Sequence, residues 1–222
     1  MNAGHGRHAL AARIATIVAG GAVYGFALGA GKNLLYAYRS AIKFPLLLLG
    51  TAAICALAHF MLARFLAVPL TLRAVVTASL QFAADLAVLL ASLAPVSLFL
   101  GRTMIRPVGT DLGGYPEFVT TNMVFVAGAG ALALHAQVHR LGIGIGIGRA
   151  RAWLLAAIWL AVSLLVGGQL AFWLRPFFGI ASLTGAPPFL LGDEPTATGA
   201  RNFYEVVWQF AVGTDLDSPR GR

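Results

Sequence analysis

The stretch Ala11–Gly31, AARIATIVAGGAVYGFALGAG, decides the fold. It carries a single charge, Arg13. At about 1.5 Å of rise per residue it is long enough to cross a hydrocarbon layer about 30 Å thick. Gly21, Gly25 and Gly29 recur every four residues, so they share one helix face. Between lipid-facing helices such a face lets backbones approach closely. The expectation is a span over Leu10–Ala30, packed through a glycine seam within the protomer or against a second subunit. Arg7 and Arg13 ahead of an apolar run also fit the front of a secretory signal, but the seam points to a retained, packed helix.

Composition extends this reading to the whole chain. The 222 residues are 59% hydrophobic and 11% charged, with a mean hydropathy of +0.80. A soluble domain carries roughly 25% charged residues. The fold expected is therefore all-α: a polytopic membrane bundle of about five helices, with short helices at its interfaces. Residues 1–174 form the bundle and residues 175–222 an extramembrane or interfacial strap. The lone cysteine, Cys55, excludes an intrachain disulfide and reads as an apolar packing residue.

The net charge is +8 and unevenly spread. Residues 1–110 hold nine Lys/Arg and one acid, Asp85, whereas residues 111–222 hold seven of each sign. The basic residues stand singly between apolar runs, as headgroup anchors do, and form no cluster suited to nucleic acid.

Further along, Leu34, Leu35, Tyr38 and Ile42 of KNLLYAYRSAIK share a face that predicts a separate interfacial helix over Lys32–Lys43. Pro45 then opens a second span, Phe44–Leu66. A third covers Ala74–Leu100, kinked or broken at Pro95. A fourth begins near Pro116-Glu117 and ends near His139, with Gly128 and Gly130 as a second close-approach surface. The run LGIGIGIGRAR lacks the Lys-Ser/Thr of a phosphate loop and reads as a turn. The fifth span is Ala152–Leu174. Basic residues at the span ends favour a cytoplasmic N-terminus by only seven against six.

The last span ends on QLAFWLRPFFG. Trp173 and Arg175 suit the membrane–water boundary, Pro176 stops the helix, and Phe177 and Phe178 can fold back on the interface. Asn202 and Glu205 are spaced as a capping box, and Phe203, Val206, Val207 and Phe210 follow a helical stripe. Tyr204 and Trp208 complete this second aromatic cluster. The segments YGFALG, SAIKFPLLLLGT, LAPVSLF, QLAFWLRPFFG and NFYEVVWQ together resemble a set of uncharacterised polytopic bacterial membrane proteins of Yip-like layout. The similarity runs from about Tyr24 to Gln209. It implies a helical protein of the bacterial inner membrane with an ordered C-terminal segment, and brings no catalytic residue or substrate.

Polar residues inside spans are the remaining candidates. Asp85 is the one acid deep in a span, with Gln81 a turn before it. An intramembrane acid is by default paired, neutral or part of an ion path. His59, His135, Asn122 and Gln169 can hydrogen-bond between helices or serve such a path. A single span histidine can also act as an axial ligand. His135 and His139 stand i, i+4, but without the Glu of a zinc-protease helix. Ser97 reads as a helix-kink hydroxyl. No nucleophile has a catalytic context, so the chain is expected not to be an enzyme and to need no cofactor. A bound lipid is compatible with it. The expected role is a membrane subunit that anchors, scaffolds or assembles a complex. Its partners would be membrane lipid and other subunits or further copies of itself. The alternative is a small proton- or ion-coupled transporter using Asp85.

Overall fold

A first helix, α1 (Ala3–Ala30), carries the glycine seam, and α2 (Leu34–Phe65) follows after a short turn. Then come α3 (Leu72–Met104), α4 (Tyr115–Ile145), α5 (Arg149–Trp173) and a short α6 (Phe203–Val212). Two three-residue strands, Arg106–Val108 and Asp111–Gly113, pair antiparallel between α3 and α4. The computed structural model describes residues 3–31, 33–108, 111–175, 177, 189–190 and 199–212. Helices α1 to α5 are each long and apolar enough to cross a membrane. Large apolar side chains such as Val23, Leu57, Phe99, Leu132 and Leu164 point outward, as they do where lipid is the solvent.

The helices form a ring with a brace. Neighbours α2–α3, α3–α4, α4–α5 and α5–α2 touch, and α1 lies in the groove between α2 and α3. The seam explains how α1 fits. A Cβ on Gly20 would lie 2.8 Å from the Ala87 carbonyl oxygen, and one on Gly21 would lie 3.2 Å from the Pro45 ring. On Gly25 and Gly29 it would overlap the Ser40 and Tyr36 carbonyls. Gly31 meets Gly101 backbone to backbone. The seam is therefore filled from within the protomer.

This packing corrects the expected boundary at Pro45. Residues 34–43 are not a separate interfacial helix; they are the first turns of α2, which passes through Pro45. Asn33 caps α2 by accepting from the Tyr36 amide at 3.0 Å. Proline removes one helical hydrogen bond, but its ring sits on Gly21 and the flanking turns lie along α1. Leu34, Leu35, Tyr38 and Ile42 do share an exposed face, while Lys43 is buried near the rings of Phe177 and Phe189. At about 1.5 Å per residue, α2 is about 48 Å long, so it tilts or projects beyond the hydrocarbon.

Three further boundaries shift. Pro95 does not break α3, which runs on to Met104 with the proline exposed. The fourth helix continues to Ile145 through Gly142 and Gly144, and the turn shrinks to Gly146–Gly148. Gly146 ends it in the left-handed region at φ 68°, where glycine is favoured. Val138 and Leu141 pack on Ala152 and Leu155, so tertiary contact overrides the poor helix propensity of the Gly-Ile repeat. Gly128 and Gly130 are not a close-approach surface, because a Cβ on either meets nothing within 4 Å.

Gly25→Leu must push Ser40 and α2 away from α1, at an overpacking cost of about 1–3 kcal/mol. Its melting temperature in detergent is expected to fall, while Gly128→Leu, placed in open space, melts as the parent does. Equal melting of both variants would show that α1 does not pack through its glycines.

Candidate functional site

Gln81 and Asp85 lie one turn apart on α3, so their side chains meet. Gln81 Nε2 donates to Asp85 Oδ1 at 2.9 Å. From α1, Arg13 Nε donates to Gln81 Oε1 at 2.7 Å. From α4, Arg140 pairs with Asp85 Oδ2 and also donates to Gln137 Oε1 at 3.3 Å. The acid that stood alone in its span is thus held between helices by a guanidinium. The Asp85 and Arg140 side chains keep 24% and 41% exposure, so this is a half-open pair. Sequence reading placed Arg13 and Arg140 at span ends as headgroup anchors. Their role becomes visible only when the packing of α1 and α4 on α3 sets Arg13 beside Gln81 and Arg140 beside Asp85.

A second polar knot joins the same three helices elsewhere along their length. Tyr24 of α1 donates to Asn122 Oδ1 at 3.0 Å, Ser97 of α3 donates to the same oxygen, and Asn122 Nδ2 reaches the Phe118 carbonyl at 2.9 Å. Ser97 is therefore an interhelical donor to Asn122, a partner that the kink reading did not give it.

The third knot centres on His59 of α2, which is buried. Its Nδ1 faces Ser79 Oγ of α3 at 3.1 Å; its Nε2 faces the Trp159 carbonyl of α5 at 3.1 Å and Ser163 Oγ at 3.3 Å. A carbonyl only accepts, so the network assigns the proton to Nε2 and lets Nδ1 accept from Ser79. Trp159 Nε1 returns a bond to the His59 carbonyl at 3.0 Å, and the two rings stack with centroids 5.0 Å apart. Both ring nitrogens are engaged, and an axial-ligand role would require one of them to give up a bond. None of these partners touches Asp85, so the structure does not bring the two candidate relay residues together. His135 lies apart from both, exposed and tilted against Trp153, and lines a shallow pocket with His139 and Arg149. Among the described residues no three His, Cys, Asp or Glu side chains gather as metal ligands.

The His59 knot closes one end of a cavity of about 170 Å³ inside the ring of α2 to α5. Leu48, Phe82, Leu86, Val126, Leu134 and Leu160 supply much of its apolar wall. Gly130 lines it as well, which accounts for the empty space beside that residue.

At the end of α5, Arg175 lies over the Phe172 ring, 3.5 Å from its centroid, and donates to the Phe172 carbonyl at 2.7 Å. Trp173 is exposed. Phe177 packs edge-on against Phe44, and its carbonyl accepts from Ser40. Pro176 and Phe178 lie outside the described residues. The capping pair forms at α6: the Glu205 amide donates to Asn202 Oδ1 at 2.9 Å, and Glu205 accepts from the Arg201 amide and Asn202 Nδ2, each at 2.7 Å.

Helix α6 sits on its own chain. The Phe203 ring fills the space a Gly168 side chain would occupy, Gln169 Oε1 accepts from the Phe203 amide at 3.3 Å, and Tyr204 donates to the Leu165 carbonyl. Phe203 and Val206 are half-buried, as the stripe predicted, but Val207 is exposed. The Phe210 side chain lies outside the described residues. Val207 and Trp208 are left outward, the latter 68% exposed, while Tyr204 is partly exposed beside its bond to α5.

No protein-family model, no curated protein and no solved structure matches this chain.

The Asp85–Arg140 pair is open to a double-mutant cycle with Asp85→Asn and Arg140→Gln. Contact within one network implies a coupling of about 1 kcal/mol in unfolding free energy. Strictly additive effects would mean that the pair contributes nothing to holding α3 against α4.

Proposed function

We propose that this chain is a non-enzymatic integral membrane subunit that presents its C-terminal helix to a partner subunit alongside the bundle. The observation that carries this reading is the seating of α6. One face is fixed to α5 by Phe203 and Tyr204, which orients the other, with Val207 and Trp208, away from the bundle. An exposed tryptophan on a helix held to the bundle is a good anchor for a protein interface. Trp173 and Arg175 lie at the same end of the bundle and suit the headgroup zone. The glycine seam lends no support, because α2 and α3 occupy it. An inner-membrane location is what the resemblance of the LRPFFG and NFYE segments to bacterial polytopic membrane proteins implies. The end where α1 begins carries seven basic residues against six at the other, a narrow lean towards that end as cytoplasmic.

Transport through Asp85 is the weaker reading. A carboxylate bound to Arg140 and Gln81 must break an ion pair to accept a proton, and His59 offers it no continuation.

Removing residues 200–222 is expected to leave membrane insertion intact and release proteins that co-purify with the full chain. Trp208→Ala should weaken the same association without detaching α6 from α5. Unchanged co-purification by both variants would remove α6 as the docking element.

A further inference from the structure

We propose that the cavity ringed by α2, α3, α4 and α5 holds one alkyl chain of a bilayer lipid, entering sideways between α4 and α5. The first support is shape. The lining runs from Leu47 to His59 on α2, about 18 Å at 1.5 Å per residue, and from Val126 to Gln137 on α4, about 16 Å. On α5 it runs from Ala156 to Gly167, again about 16 Å. A volume of about 170 Å³ spread over that length is a narrow slot along the helix axes.

The second support is its chemistry. Apolar cavities of about 150 Å³ stay dry and take up apolar guests. Of the polar side chains in the lining, His59, Ser79 and Ser163 engage one another and the Trp159 carbonyl, and Gln137 accepts from Arg140; Thr51 is the other polar side chain in an otherwise mainly apolar wall. A chain of methylenes needs no hydrogen bonds there, and a polar guest would have to compete for bonds already made.

The third support is the position of the mouth. Near their connecting turn α4 and α5 are joined: Val138 and Leu141 share one buried cluster with Ala152 and Leu155, and His135 tilts against Trp153. Away from the turn the helices flank the slot, and Leu164 and Val126 line it while remaining 62% and 37% exposed. These residues lie well inside spans, so the mouth faces hydrocarbon, where lipid chains are the available solvent.

Trp159 lines the slot but is almost wholly buried, so it reports on the interior. The test uses full-length protein carrying Trp153→Phe, Trp173→Phe and Trp208→Phe, with an unchanged melting curve, in phosphatidylcholine vesicles brominated at mid-chain. Trp159 emission should be lower than in unbrominated vesicles. Filling the slot with Gly130→Leu, or from the opposite wall with Ala52→Phe, should restore it. Equal emission in the two vesicle types would overturn the proposal. So would quenching that both filling variants leave unchanged, because bromine would then be acting from outside the ring. Red-shifted Trp159 emission would mean that water fills the slot, which also overturns it.

Discussion

The bare backbone face of α1 is the constraint on which the rest of the structure depends. Because Gly25 and Gly29 carry no side chain, the Ser40 and Tyr36 carbonyls of α2 can lie directly against α1. Lipid tails are as apolar as leucine, so helices in a bilayer gain little by hiding apolar surface from them. Close backbone contact and interhelical hydrogen bonds must supply the adhesion. The seam gives α1 that contact with α2, and Gly20 and Gly31 extend it to α3. It also holds residues 34–45 in line as the start of α2 and seats the Pro45 ring. With α1 acting as a brace on one side, the ring of α2 to α5 need not close tightly, and a slot persists within it.

Three polar knots fix the register that the seam allows. Arg13–Gln81–Asp85–Arg140 and Tyr24–Ser97–Asn122 both tie α1, α3 and α4, whereas His59–Ser79–Trp159–Ser163 ties α2, α3 and α5. The Tyr24 and His59 knots match donors to acceptors in the buried interior, where an unmatched group is costly, whereas the Asp85 knot is half-open. A residue that looks functional because it is polar in a span is here engaged in fixing helices. Asp85 is the clearest case, since its charge is balanced by an arginine from a different helix.

Much of the fold was legible in the sequence because span length and glycine spacing report directly on lipid. The five helices long and apolar enough to cross a membrane and the Asn202–Glu205 cap could be read from local pattern. The same local reasoning failed where distant contacts decide. Pro45 looked like a helix start because sequence does not show Gly21 waiting beneath it. Gly142 and Gly144 looked like a turn because the packing of Leu141 on α5 is not a local property. Gly128 and Gly130 looked like a seam, yet spacing alone does not distinguish a glycine that admits a helix from one that leaves a hole. Of the candidate site, Asp85 and His59 were legible as polar residues in spans. Of their partners only Gln81, one turn from Asp85, was legible, since Arg140 is 55 residues from Asp85 and Trp159 is 100 from His59.

The inward orientation of the α1 glycine face is best tested by single-cysteine scanning in a Cys55→Ser background. A lipid-soluble maleimide would be applied to vesicles containing Ile17→Cys, Val18→Cys, Val23→Cys or Ala27→Cys. Ile17 and Ala27 lie buried on the packed side of α1, whereas Val18 and Val23 face outward. Labelling confined to positions 18 and 23 is the result this structure predicts. Labelling of position 27 as readily as position 23 would mean that the seam faces lipid or a separate subunit, and would contradict the account.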